Sequence, residues 1–186
     1  MLGNADPAAR IARRAALRLA LKALPAVYVS AAVVSNAHAV DALPDARFVG
    51  WAQTFNDYEI AAGRIALARS GNEIMRGYAT RMIAEHSEAA ELLQKARSEA
   101  GVSYAPDPAN PPNTAAVLQR LNALQGPEFD TAYANAELAS HSNAVDQLGA
   151  YSQNGDNGAL RRYAQAMFPK AKEQLEMAQR MAGGRS

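Results

Sequence analysis

Cysteine is absent from all 186 residues. Its absence excludes disulfides, thiolate metal sites, a cysteine nucleophile and a lipid-bearing N-terminal cysteine. Aromatic residues are scarce at 6%, with a single tryptophan. No alternating polar–apolar pattern suggests strands of an outer-membrane barrel. No glycine-rich loop offers a phosphate cradle, since Gly183-Gly184 belongs to a tail. Nucleophile–base pairs are missing as well. Ser87 adjoins His86 and Ser140 adjoins His141, but neighbours on a helix diverge by about 100°.

Net charge is small, and its distribution matters more than its total. Of 19 Lys/Arg and 18 Asp/Glu, residues 1–39 hold five basic groups (Arg10, Arg13, Arg14, Arg18, Lys22) and only Asp6 among the acids. Residues 40–186 therefore carry 14 basic and 17 acidic groups, a net of −3. The basicity belongs to the N-terminal segment, so nucleic-acid binding has no electrostatic footprint.

That segment reads as an export signal. A basic head precedes an uncharged stretch from Ala23 to Val40, which ends in the small-x-small pattern Ala37-His38-Ala39. Pro25, Ser30, Ser35, Asn36 and His38 dilute the apolar run. It is thus marginal against the about 20 apolar residues of a retained span. The expectation is a signal peptide over 1–39 cleaved after Ala39, with an uncleaved anchor as the alternative. The product is an exported protein of the periplasm or cell envelope without a stable membrane span. Arg13-Arg14 raises the twin-arginine route beside the general secretory one, and the sequence does not choose between them.

Residues 40–186 predict one all-α domain. Phe48, Ala52, Phe55, Glu59, Ala62 and Ala66 recur at spacings of 4 and 3, as do Met75, Ala79, Met82, His86, Ala89, Leu93, Ala96 and Ala100. Two further stripes run Phe129, Tyr133, Ala136/Glu137, Ser140/His141, Ala144, Leu148, Tyr151 and Leu160, Ala164, Met167, Ala171, Gln174, Ala178, Met181. The expected helices cover about 45–70, 72–101, 127–153 and 156–182. Ser70-Gly71 and Asn154-Gly155 mark turns, Asn72 and Asp156 are candidate caps, and Pro169 is expected to kink or split the last helix. Four prolines between Tyr104 and Pro112 exclude a long helix there. Thr114 to Gln125 can form a short one.

An internal repeat relates the helix pairs. Met75-Arg76-Gly77-Tyr78-Ala79-Thr80-Arg81-Met82 resembles Leu160-Arg161-Arg162-Tyr163-Ala164-Gln165-Ala166-Met167. Two similar hairpins, each with an apolar face, imply a four-helix bundle with a long crossover connection.

Glu59, His86, His141 (with Glu137 one turn earlier) and Gln174 interrupt the apolar stripes near mid-helix. Counted from the turns, Glu59 and His86 fall about 4.5 Å apart in depth, and Glu137 matches Gln174. As core polar groups they pair to fix register, while Glu137 and His141 at i and i+4 also suit a half-solvated edge pair. The alternative is a simple Zn or Fe site on Glu59, His86, Glu137 and His141. The full dinuclear pattern of Glu-x-x-His on two helices is not met, because Ile83 precedes His86 by three and the last helix has no histidine.

Phe48…Glu59-Ile60-x-x-Gly63, Tyr78-Ala79-x-x-Met82-Ile83-x-Glu85-His86, Phe129-Asp130-x-x-Tyr133…His141 and Pro169 together resemble the exported bacterial family called domain of unknown function 4142. The likeness covers about residues 45–182. It implies a ferritin-like four-helix bundle of the cell envelope with no established activity. The family, often labelled as predicted outer-membrane proteins, has a histidine five residues after the helix-four proline, where this chain has Gln174.

From the sequence, the preferred reading is an exported, non-catalytic bundle with a binding or stress-related role and no cofactor. A metal-binding bundle is the first alternative. An interaction module that meets an envelope protein through the Tyr104–Pro112 linker is the second.

Overall fold

The computed structural model describes residues 40–103 and 114–183. The leader with its cleavage position, and the proline-rich linker, lie outside the described residues. Five helices run in the order α1 (Asp45–Arg69), α2 (Glu73–Ala100), α3 (Thr114–Ala123), α4 (Gly126–Asn154) and α5 (Gly158–Ala182), and no strand occurs among the described residues.

The two hairpin corners are built alike. Asn72 Oδ1 accepts the amides of Ile74 and Met75 at the start of α2, and Asn157 Oδ1 accepts those of Ala159 and Leu160 at the start of α5. One turn on, Arg76 and Arg161 each reach back to carbonyls of the preceding corner, at Leu67 and Gly155. These are matching positions of the sequence repeat. The cap of α5 is therefore Asn157 rather than Asp156, because Asn157 occupies the position whose oxygen meets the second and third helical amides. The first corner turns without a left-handed glycine at Gly71, and among the described glycines positive φ occurs at Gly101 (φ 65°) and Gly126 (φ 58°).

Pro169 sits inside an unbroken α5. Proline removes the bond to the carbonyl one turn earlier, here that of Gln165. Both residues are on the exposed face, so that carbonyl can turn to water and the helix continues.

Packing is most extensive within the hairpins α1–α2 and α4–α5, then between α2 and α5 and between α1 and α4. Ser70, at the end of α1, donates to Asp130 near the start of α4, and Tyr151 near the end of α4 donates to Asp45. Those two helices are antiparallel. Arg162–Glu99 and Arg81–Glu173 ion pairs make α2 and α5 antiparallel as well. It follows that α2 and α4 point the same way. The end of α2 and the start of α4 therefore lie at opposite ends of the helices, and α3 packs on α1 and α4.

The core divides into two apolar zones. One gathers Phe48, Trp51, Phe55, Leu93, Leu148, Tyr151, Leu160 and Tyr163. The other gathers Tyr58, Met75, Tyr78, Met82, Phe129 and Tyr133, and Leu121 of α3 closes it. In every long helix the buried polar residues lie between the stretches that feed the two zones: Asn56 and Glu59 in α1, His86 in α2, Glu137 and His141 in α4, Gln174 in α5. A polar belt thus crosses the middle of an otherwise oily interior.

Candidate metal-binding site

Glu59, Glu137 and His141 have no solvent exposure, and His86 has 4%. Glu137 and His141 are therefore not a half-solvated edge pair. Glu59, His86 and His141 converge, with one ligand-type atom of each within 4.8 Å of the others. Glu137 stands beside this trio, its Oε2 3.6 Å from His141 Nδ1. Gln174 is drawn away. Its amide donates to Glu85 Oε2 at 2.7 Å, so its partner is Glu85 and not Glu137.

Each of the four residues is oriented by one hydrogen bond and left with one unused atom. Ser140 donates to Glu59 Oε1 at 2.6 Å. Tyr78 donates to Glu137 Oε2 at 3.1 Å and lies 3.4 Å from His141 Nδ1. His86 Nδ1 faces Asn56 Oδ1 at 2.9 Å, and His141 Nδ1 faces the Glu137 carbonyl at 3.0 Å. An acceptor at Nδ1 selects the tautomer protonated there and places the lone pair on Nε2. Glu59 Oε2, Glu137 Oε1, His86 Nε2 and His141 Nε2 then find no protein partner although all are buried, and the Tyr133 hydroxyl shares that condition.

The electrostatics follow from burial. Desolvation pushes His86 down to about 4, against the opposing pull of the Glu59 charge, so its ring is neutral at pH 7. Glu137 is raised well above the ordinary carboxylate range, first by burial and then by the charge of Glu59 beside it. Burial, then the charges of Glu137 and Glu59, also pushes the phenols of Tyr58, Tyr78 and Tyr133 upward, so all three stay protonated.

Aromatic rings wall the trio. Phe55 meets His86 and His141 edge-on, with centroids 4.9 and 5.7 Å away, and stacks on Trp51 at 5.5 Å. Two imidazoles and two carboxyl groups, buried close together, form a donor set for a divalent first-row ion. Without thiolates the set is not a soft one.

Asn56 is the functional residue that stripe-reading misses. It is 1% exposed and links His86 to Tyr163, whose hydroxyl accepts its amide at 3.3 Å. Its signal was a second buried row at spacings 4, 3, 4, namely Ala52, Asn56, Glu59 and Gly63. Ser140 and Tyr78 are hydrogen-bond donors to Glu59 and Glu137.

The molecule is thus an all-helical protein with a buried cluster of histidines and carboxylates at mid-height. The sequence model of the family described as Domain of unknown function (DUF4142) matches residues 30–181, and the chain belongs to that family. No curated protein and no solved structure matches it. Among the described residues no helix is long and apolar enough to cross a membrane.

Proposed function

We propose that this chain is an exported, ferritin-like four-helix-bundle protein of the cell envelope whose role is to bind a single transition-metal ion, without catalysis of its own. The observation that carries this reading is the set of four buried, unpartnered ligand atoms on three helices. Leaving one such polar atom unsatisfied costs about 1–3 kcal/mol. Four of them on neighbouring residues of one buried cluster are better explained by a common guest than by four separate faults. A divalent cation also offsets the repulsion between Glu59 and Glu137, which in its absence requires a proton. Glu59, His86 and His141 supply the ligands, Glu137 completes or balances the set, and Zn(II) or Fe(II) suits the donors. The parallel course of α2 and α4 across one long connection supports the ferritin-like topology. The basic, then apolar, leader supports export.

Metal analysis of protein purified from the periplasm, before and after loading with Zn(II) or Fe(II) and desalting, tests the reading. One ion per chain in the wild type, lost in His86→Ala and His141→Ala but kept in Gln174→Ala, is the expected result. Trace metal in the wild type after loading excludes the site.

A further inference from the structure

Among the described residues, a wide and a narrow opening adjoin residues that touch the cluster. The wider, about 640 Å³, is lined by Met75, Tyr78, Arg81, Met177 and Met181 among others. None of the four candidate ligands lines it, whereas Tyr78, whose hydroxyl donates to Glu137, does. The narrower, about 20 Å³, is lined by His86 and Asn56 together with Glu85, Lys170 and Gln174. A space of that size admits about one water-sized particle. Here a candidate ligand itself forms part of the wall. His86 is also the one member of the four with residual exposure.

We propose that the metal ion reaches its site through this narrow cleft, captured at the mouth by the Glu85 carboxylate and passed inward by His86. The inference rests on the metal-site reading above and adds a route to it.

Glu85 suits a capture role. Its side chain is 23% exposed, so it meets solvent while sharing a wall with His86. Arg81 Nε and Gln174 Nε2 each donate to it at 2.7 Å. Lys170, on the opposite lip, is 41% exposed and pairs with Glu88 at 3.3 Å. A cation at the mouth is drawn by Glu85 and repelled by Lys170 and by the Arg81 guanidinium paired with Glu85, and their balance sets its arrival rate.

The single tryptophan gives a signal for the test. Trp51 stacks on Phe55, which touches both imidazoles, so Co(II) in the site is expected to quench its emission. Stopped-flow mixing of the metal-free chain with Co(II) should show association slowed roughly tenfold in Glu85→Gln and quickened several-fold in Lys170→Gln. Equilibrium affinity should move far less, and both rate effects should shrink near ~1 M salt, where screening is short-ranged. Wild-type association rates in both variants, or a Glu85→Gln loss carried wholly by faster release, overturn the route while leaving the site intact. Absence of Co(II) uptake by the wild type overturns the site and the route with it.

Discussion

Asn56 and His86 meet across the α1–α2 seam, the imidazole Nδ1–H donated to the amide oxygen at 2.9 Å, with Tyr163 of α5 holding the other end of the amide. One interaction thus fixes both the ring's orientation and its tautomer. Removing the orienting partner of a metal-binding histidine typically costs about 10–100-fold in affinity. Asn56→Ala should lose that much Zn(II) affinity in a competition titration with a chromophoric chelator. It should also lose about 1–3 kcal/mol of stability, since His86 Nδ1 is left buried and unpaired. Asn56→Asp keeps an acceptor and should retain more affinity than Asn56→Ala.

Glu137 should make the metal-free protein weaker as pH rises. Its folded carboxyl holds a proton well above the unfolded value of 4.5. The stabilisation it gives is complete below that value and is lost as pH climbs through the raised one. Glu137→Gln removes this dependence. In the presence of a chelator, the variant should unfold at higher urea than the wild type at pH 8, with little difference at pH 4. Added Zn(II) should reverse the order at pH 8, because the amide is the poorer partner for a cation.

His86 works in the opposite direction. Its folded pKa of about 4 lies below the ordinary 6.5, so the unfolded chain takes up a proton first as pH falls. Its contribution is complete above pH 6.5 and drains away toward pH 4. The shift amounts to on the order of 3 kcal/mol. In metal-free protein, His86→Gln should flatten the stability profile between those two values. An unchanged slope between pH 6.5 and 4 in His86→Gln would show that the ring is not the group responsible.

Two glycines should respond oppositely to alanine. A Cβ on Gly63 would meet Ile83 Cγ1 at 2.8 Å and the Ala79 carbonyl at 3.1 Å, whereas one on Gly77 would meet nothing within 4 Å. Alanine in a helix gains about 0.5–1 kcal/mol over glycine, and Gly77→Ala should show that gain in thermal melts. Gly63→Ala should lose about 1 kcal/mol net, as crowding of the α1–α2 contact outweighs the same gain.

The helices were legible because their buried stripes are long and regular, and because Asn72 and Gly101 are strong end signals. The continuity of α5 through Pro169 was not legible, since it depends on which side of the helix faces water. Glu59, His86, Glu137 and His141 could be picked out because each breaks an apolar row. Asn56 could not, because it flanks Phe55 and looks like an ordinary surface neighbour until the second row of α1 is seen to be buried. The partner of Gln174 was misread for a related reason. Depth along a helix can be counted in sequence, but rotation about its axis, which turns Gln174 toward Glu85, is settled only by packing.

The matching corners bear on how the protein comes to be folded. Asn72 and Arg76, and likewise Asn157 and Arg161, bind backbone groups within ten positions of themselves, and such local closures form early. A chain emerging end first can zip its leading pair of helices before the trailing pair exists. Each pair would then dock already formed, and the charged belt becomes dry only in that last step.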